Sequence, residues 1–285
     1  MRRTLYVAWL SLLAAAPVVA QFGEFEELGM TSATELSLVA TEGNSSTETF
    51  GFKHALGRTW QRSRYRLRLE GVRASTRDQR FAVVDPTDPG GFAVVEPSSR
   101  PDVEKYLIEN SYDRRVGDGR VFGNTGITWD RNRDAGILNR YVLFAGTGHL
   151  WHKDDRKEFF TTYGLSYTDR EETTPDPAKD DTFGGARLQS FYKRQLGAVT
   201  TVTHDWRINT NFSDFSDYTS DMTQAVAVSM SKRLAIKLSL QWLYNNDPAL
   251  ETIDLVEIDG TLVGRVNVRK KRTDLVLTTS LVVTF

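Results

Sequence analysis

The sequence predicts an all-β fold: a transmembrane antiparallel β-barrel of about 12 strands, with short periplasmic turns and longer extracellular loops. Three observations predict it. Segments along the chain alternate apolar and polar residues at the two-residue period of a strand. The connections between them alternate short and long. The chain ends on "DLVLTTSLVVTF", where Phe285, Val283, Leu281, Thr279, Leu277 and Leu275 share one face and Thr284, Val282, Ser280, Thr278, Val276 and Asp274 the other.

The N-terminus is read first. Arg2 and Arg3 precede a mostly apolar stretch from Leu5 to Ala16, followed by Val18 and Ala20 in a small-residue cleavage pattern. This is the layout of a secretory signal peptide cut after Ala20. The apolar run falls short of the roughly 20 residues a spanning helix needs. The expected organisation is therefore a signal peptide over residues 1–20, a short periplasmic segment over 21–33 and the barrel over 34–285. No long apolar run follows, which excludes a helical membrane protein and leaves an exported soluble β-protein or a barrel.

Twelve strands are predicted in order: Thr34–Glu42, Thr47–Leu56, Arg62–Val72, Val103–Asp113, Arg120–Asp130, Leu138–Trp151, Glu158–Thr168, Thr182–Lys193, Ala198–Asn209, Tyr218–Ser231, Leu234–Tyr244 and Thr273–Phe285. The eleventh is the clearest. Leu234, Ile236, Leu238, Leu240, Trp242 and Tyr244 fall on one face, and Ala235, Lys237, Ser239, Gln241 and Leu243 on the other. A helix would scatter these sets. In Leu138–Trp151 glycines and apolar residues fall on both faces, and its orientation stays open. Most segments reach about 9–11 residues, the length a tilted strand needs to cross a bilayer.

The tight connections are "GRTWQ", "RVGDG", "HKDDRK", "RQLG" and "SKR". The longer ones are 73–102, 131–137, 169–181, 210–217 and 245–272. The first hairpin, at "GNSS", is short where a long loop is due. A soluble sandwich has no reason to sort its connections by side; an outer-membrane barrel does. Around Asp259-Gly260, "LVEIDGTLVGRV" reads as a hairpin extending the last loop beyond the membrane. Tyr65, Trp129, Tyr167, Tyr192, Trp206, Trp242 and Tyr244 fall on outward faces, mostly near strand ends, where aromatic girdles sit. The terminal strand matches the signal that barrel-assembly machinery reads, carried by Leu277, Leu281, Val283 and Phe285.

Three stretches resemble the salt-induced outer membrane protein family, also called domain of unknown function 481. "VATEGNSSTETFGF" is similar to its first hairpin, with Gly43-Asn44 at the turn. "DRNRDAGILNRYVLFAGTGHLW" is similar to its central segment, through Asp130, Arg131, Asp134, Arg140, Gly146 and Gly148. "KKRTDLVLTTSLVVTF" is similar to its closing strand. The resemblance spans about Thr34 to Phe285. It implies an outer-membrane barrel and a link to salt or osmotic stress, and it carries no settled activity. Ser45 and the long inserts at 73–102 and 250–270 depart from the pattern.

Charge is balanced, with 36 Lys and Arg against 37 Asp and Glu; without Arg2 and Arg3 the net charge is −3. Such a chain has no pull toward nucleic acid. Cysteine is absent, which excludes disulfides and thiolate metal sites. The alternation assigns Arg64, Arg66, Arg68 and Glu70 inward on the third strand, and Lys53 inward beside them. Arg140, Arg187, Lys193, Arg207, Arg233 and Lys237 are assigned inward as well, with Glu35, Glu109, Asp113, Asp130, Asp205 and Asp221. An Arg or Lys facing lipid at mid-membrane costs roughly 2–4 kcal/mol, so the charges belong in the lumen.

Two readings follow. Arg64, Arg66, Arg68, Lys53, Arg140, Arg187 and Arg207 guide small anionic solutes through a narrow channel, since guanidinium forks bind carboxylate and phosphate. Alternatively, opposite charges pair across the lumen and plug a closed barrel that acts through its external loops. A hydrolase built on His204, Asp205, Ser213 and Asp214 is a remote third, because His204 and Asp205 face opposite ways and no nucleophile motif surrounds the serines. No enzyme is expected. No metal is expected either: Asp130, Asn132 and Asp134 miss the calcium-loop spacing, with Gly136 one place late and Tyr141 at position twelve. His149 and His152, three apart in a strand, face opposite sides. No cofactor motif or nucleic-acid module is present. The expected partners are outer-membrane lipid, lipopolysaccharide and the barrel-assembly machinery around a monomer.

Overall fold

Alternation builds the wall of the molecule. A computed structural model describes residues 28–42, 47–74, 81–85, 91–95, 103–117 and 119–285. The strands are β1 (Gly29–Glu42), β2 (Thr47–Thr59), β3 (Ser63–Ala74), β4 (Phe81–Val84), β5 (Phe92–Val95), β6 (Val103–Val116), β7 (Val121–Asn132) and β8 (Ile137–Lys153). They continue with β9 (Lys157–Glu172), β10 (Thr182–Leu196), β11 (Thr200–Thr210), β12 (Tyr218–Ser229), β13 (Leu234–Asn245), β14 (Leu250–Val256), β15 (Leu262–Arg269) and β16 (Thr273–Thr284). Twelve of them close an antiparallel barrel in the order β1-β2-β3-β6-β7-β8-β9-β10-β11-β12-β13-β16, with β16 pairing β1. Closure leaves no wall strand with an open edge, which is what a lipid-exposed backbone requires.

The outer face is apolar. Leu36, Leu143, Leu165, Val226, Ile236, Leu238, Leu277 and Leu281 are all exposed on it. At roughly 25 cal/mol per Å² of apolar surface, such a belt is costly in water and natural in lipid. The inner face alternates with it. Along β9, Glu158, Phe160, Thr162, Ser166, Thr168 and Arg170 are buried, while Tyr163, Leu165 and Tyr167 between them are exposed. In β8 the faces now separate: Val142 and Phe144 point inward, Tyr141 and Leu143 outward.

The predicted sorting of connections holds except between β7 and β8. Tight turns at 60–62, 117–120, 154–156, 197–199 and 230–233 lie at one end. The connections at 173–181, 211–217 and 246–272 lie at the other. Most strand bounds shift from the expected ones, and two of the shifts change the organisation. Gly29–Ala33 is not a separate segment but the start of β1, pairing with Ala55–Thr59, because β2 runs on past the predicted stop and its backbone groups need partners. The β7–β8 connection shrinks to residues 133–136, because β7 runs on to Asn132 and β8 already starts at Ile137. Gly136, at φ +81°, makes that turn possible and packs on Ala249 and Lys270. The signal peptide and the GNSS turn lie outside the described residues.

The two long inserts meet. β4 and β5 come from the β3–β6 connection, and β14 and β15 from the β13–β16 connection. Together they form a four-stranded sheet in the order β15-β14-β4-β5. β14 and β15 are the hairpin expected around Asp259-Gly260, with Gly260 at φ +88°.

Candidate functional site: the barrel lumen

The lumen is built by register. β3 and β6 place Arg64 opposite Asp113 and Arg68 opposite Glu109. At the short-turn end Arg64 donates to Asp113 from Nη2 and Nε at 2.7 and 3.2 Å. Arg66 reaches the same carboxylate at 2.8 Å, and the Asn124 amide donates to its other oxygen at 2.6 Å. Asp113 is 0 % exposed and Arg64 3 %. Beside this cluster Phe122, Phe160 and Phe191 pack together with Leu150. The Phe160 and Phe191 rings stack at 5.0 Å, and Phe122 meets Phe160 edge-on at 5.9 Å. Gly148 makes room for Phe122, since a side chain there would enter the ring. Across the lumen the facing wall carries small buried residues: Ala33, Ala225, Ala235, Ser280 and Val282. The large side chains pack among themselves on one wall and the small ones among themselves on the other, and Ala33, Phe160 and Phe191 border the cavity that begins above them.

Above the seal lie two adjoining cavities of about 210 Å³ and 160 Å³. Phe160, Phe191 and Ser111 floor the first; Pro248, Lys271 and Arg272 sit at the rim of the second, on the long-loop side. Glu109, Asp130, Arg140, Arg187, Arg207 and Asp221 line both and form a waist of three arginines and three carboxylates between them. Most of these charges are matched. Arg140 holds Asp130 with two bonds of 2.9 and 3.0 Å. Arg207 on β11 pairs with Asp205 at 2.8 Å and reaches across the lumen to Glu109 on β6 at 3.3 Å. Arg68 also holds Glu109, at 3.0 Å, and Lys53 pairs with Glu70 at 3.4 Å. Asp221 accepts from Gln241 at 2.9 Å.

Arg187 is the exception. Among the described residues it pairs with no carboxylate; its guanidinium carbon lies 4.1 Å from the centroid of the Phe144 ring. That contact is a cation–π stack, which leaves the N–H groups in the guanidinium plane available. Gly126 allows it, because a side chain there would strike the Phe144 ring at 2.6 Å.

The seven basic residues expected in the lumen thus all project inward, but they are not equivalent. Arg64 sits in the seal and reaches neither cavity. Lys53, Arg66 and Arg68 wall the first cavity, and Arg140, Arg187 and Arg207 the waist. Sequence reasoning missed Lys105, which crosses from β6 to Gln241 on β13 at 3.4 Å. It also missed Phe144 and the phenylalanine seal, which fall on the inward parity of their strands. Arg233, expected inward, lies exposed in the turn at 230–233, past the end of β12 where alternation no longer applies. At the long-loop end Arg170 clamps Asp217 through two bonds of 3.2 and 3.1 Å.

Leu277, Leu281, Val283 and Phe285 follow the outward parity of β16, and the Phe285 N–H bonds the Ser32 carbonyl at 3.0 Å beside the seam with β1. His204, Asp205, Ser213 and Asp214 do not converge. His204 bonds Gln224 on the outer face and Asp205 faces Arg207 inside, while Ser213 and Asp214 lie in the β11–β12 loop. Among the described residues no cluster of three or more metal-ligating side chains occurs.

The profile of a family described as "Protein of unknown function, DUF481" matches residues 34–285. No curated protein matches the sequence significantly. Among solved structures, a rhombohedral crystal form of the NanC porin superimposes with a TM-score of 0.52 at 8% identity, covering 88% of this chain and 98% of that one. An outer membrane channel from Pseudomonas putida F1 gives 0.47 at 8% identity, covering 94% and 99%. The KdgM porin in complex with disordered oligogalacturonate gives 0.45 at 7% identity, covering 89% and 99%. The first likeness carries the fold alone: the chain closes a barrel similar to that of the NanC porin.

Proposed function

The chain belongs to the DUF481 family over residues 34–285, and we propose that it is a non-enzymatic outer-membrane channel, narrow and selective for small anionic solutes. The observation that carries this reading is Arg187. It stands at the waist shared by both cavities, and its charge is not matched by a carboxylate among the described residues. A passing carboxylate or phosphate would find there a guanidinium with free donors, flanked by Arg207 and Arg140. Recognition stays weak, as conduction requires, because Glu109 and Asp130 share the waist. The apolar outer belt supports a place in lipid, and the family resemblance supports a use in salt or osmotic stress.

A second reading is favoured by the seal. Phe122, Phe160, Arg64 and Asp113 are almost wholly buried toward the short-turn end of the lumen. A barrel that stays so closed would act through its outer loops.

Planar-bilayer recording of the refolded protein in a salt gradient separates the two. Discrete steps with an anion-selective reversal potential are expected, and Arg187→Gln should move that potential toward zero. Silence from demonstrably folded barrel would remove the channel and leave the closed form.

A further inference from the structure

The sheet formed by the two long inserts contains a repeat that the barrel does not use. Residues 81–86 read FAVVDP and residues 92–97 read FAVVEP. In β4 the tetrapeptide is an interior strand. It pairs in parallel with β14, at Phe81↔Asp254, and antiparallel with β5, from Phe81↔Val95 to Val84↔Phe92. Ala82 is 0 % exposed there. In β5 the same tetrapeptide is, among the described residues, paired on one edge only, and Phe92, Val94 and Val95 are 38, 37 and 36 % exposed. The opposite outer strand, β15, carries Arg265 and Arg269, charges of the kind that guard an edge. β5 carries none.

The phase of the ladder shows what the open edge offers. The Asp85 N–H donates to the Gly91 carbonyl at 3.0 Å. Hydrogen-bonded and non-bonded pairs alternate along an antiparallel ladder. Gly91, Ala93 and Val95 therefore turn their backbone groups to β4, and Phe92 and Val94 turn theirs to the open edge.

We propose that β5 is a docking edge for β5 of a second copy of this chain, paired antiparallel about a two-fold axis at Ala93. The chain already adds this tetrapeptide to itself in β4–β5, and β4 shows that it accepts strands on both edges at once. Symmetry sets the register. A two-fold axis must pass through a pair of identical residues, because otherwise two neighbouring pairs would be alike where the ladder requires them to alternate. Centring on Ala93 sets Phe92 against Val94 of the second copy, and Val94 against its Phe92. Both are hydrogen-bonded pairs, so both open-edge residues exchange their bonds, and the apolar side chains of each pair share one face. Ala93 then faces its own counterpart in a non-bonded pair. This pairing replaces the expected monomer and is independent of whether the lumen conducts.

The chain has no cysteine, so Ala93→Cys introduces a single thiol. Facing residues of a non-bonded pair lie about 4.5 Å apart at Cα, within the roughly 4.4–6.8 Å that a disulfide spans. Mild oxidation of the A93C protein in detergent should yield a disulfide-linked dimer. Val94→Pro removes a backbone N–H that only the open edge uses, and A93C/V94P should lose the cross-link. Val94→Ile keeps that N–H, and A93C/V94I should retain it. Barrel folding is read separately, from heat-modifiable gel mobility. Folded A93C that stays monomeric on oxidation overturns the proposal. So does a cross-link undiminished by Val94→Pro, which would mark random collision, or one lost equally with Val94→Ile.

Discussion

Arg187 lies over the ring of Phe144, 4.1 Å from its centroid, in a lumen where the arginines around it are tied to carboxylates. Its removal therefore leaves no acid without a partner. Arg187→Gln should refold with unchanged stability while its reversal potential shifts; the paired Arg68→Gln should lose stability as well, because Glu70 and Glu109 each lose a cation. Parallel urea titrations and bilayer recordings check the contrast. Equal losses of stability in both variants would show that Arg187 is structural.

Asp113 serves two guanidiniums and an amide at 0 % exposure. Breaking a buried ion pair by removing one partner costs about 3–5 kcal/mol, since the other charge stays buried. Asp113→Asn keeps the shape and the Asn124 contact region but removes the carboxylate that Arg64 and Arg66 share. A large drop in the urea midpoint of the refolded barrel is expected. A drop no larger than that of an exposed control, such as Asp155→Asn, would show that water reaches this end.

The seal gives a prediction about conduction. Phe160 touches both other rings, so Phe160→Ala opens a hole in the packing and should cost about 3–5 kcal/mol. Bilayer current should rise, because the side chain removed lies between the first cavity and the short-turn end. Lower stability with unchanged current would place the barrier elsewhere along the lumen.

The wall was legible in the sequence because lipid outside and charge inside impose opposite chemistry on successive residues. Arg64, Arg66 and Arg68 could be assigned inward from parity alone. Which arginine stays unmatched could not. Arg207 meets Glu109 across 98 residues of chain, and that depends on how far each strand is staggered around the barrel. β8 was ambiguous because Gly146 and Gly148 carry no side chain to mark a face, and their use, letting a neighbouring strand or the Phe122 ring approach, lies on other strands. β4 and β5 were missed because four residues are too few to show a period. Alternation also says nothing about filling: the inward parity of Phe122, Phe160 and Phe191 was readable, but their convergence at one level was not.

The turn between β7 and β8 gives a pH dependence. Burial pushes the Asp134 carboxyl up to about 7, with Lys270 pulling the other way. An ordinary aspartate titrates near 3.9, so the folded turn favours the neutral acid. Its contribution to stability is fully present below the ordinary carboxyl range and is lost as pH rises through about 7. Above that the turn must hold a half-buried carboxylate. Gly136 of the same turn packs on Ala249 and Lys270, so loosening should spread to the base of the β14–β15 hairpin. Hydrogen-exchange protection factors for residues 131–138 and 249–253 should be higher at pH 5 than at pH 8. Asp134→Asn, which cannot ionise, should hold the acid-form protection at both. Equal pH dependence in the variant would assign the effect to another group.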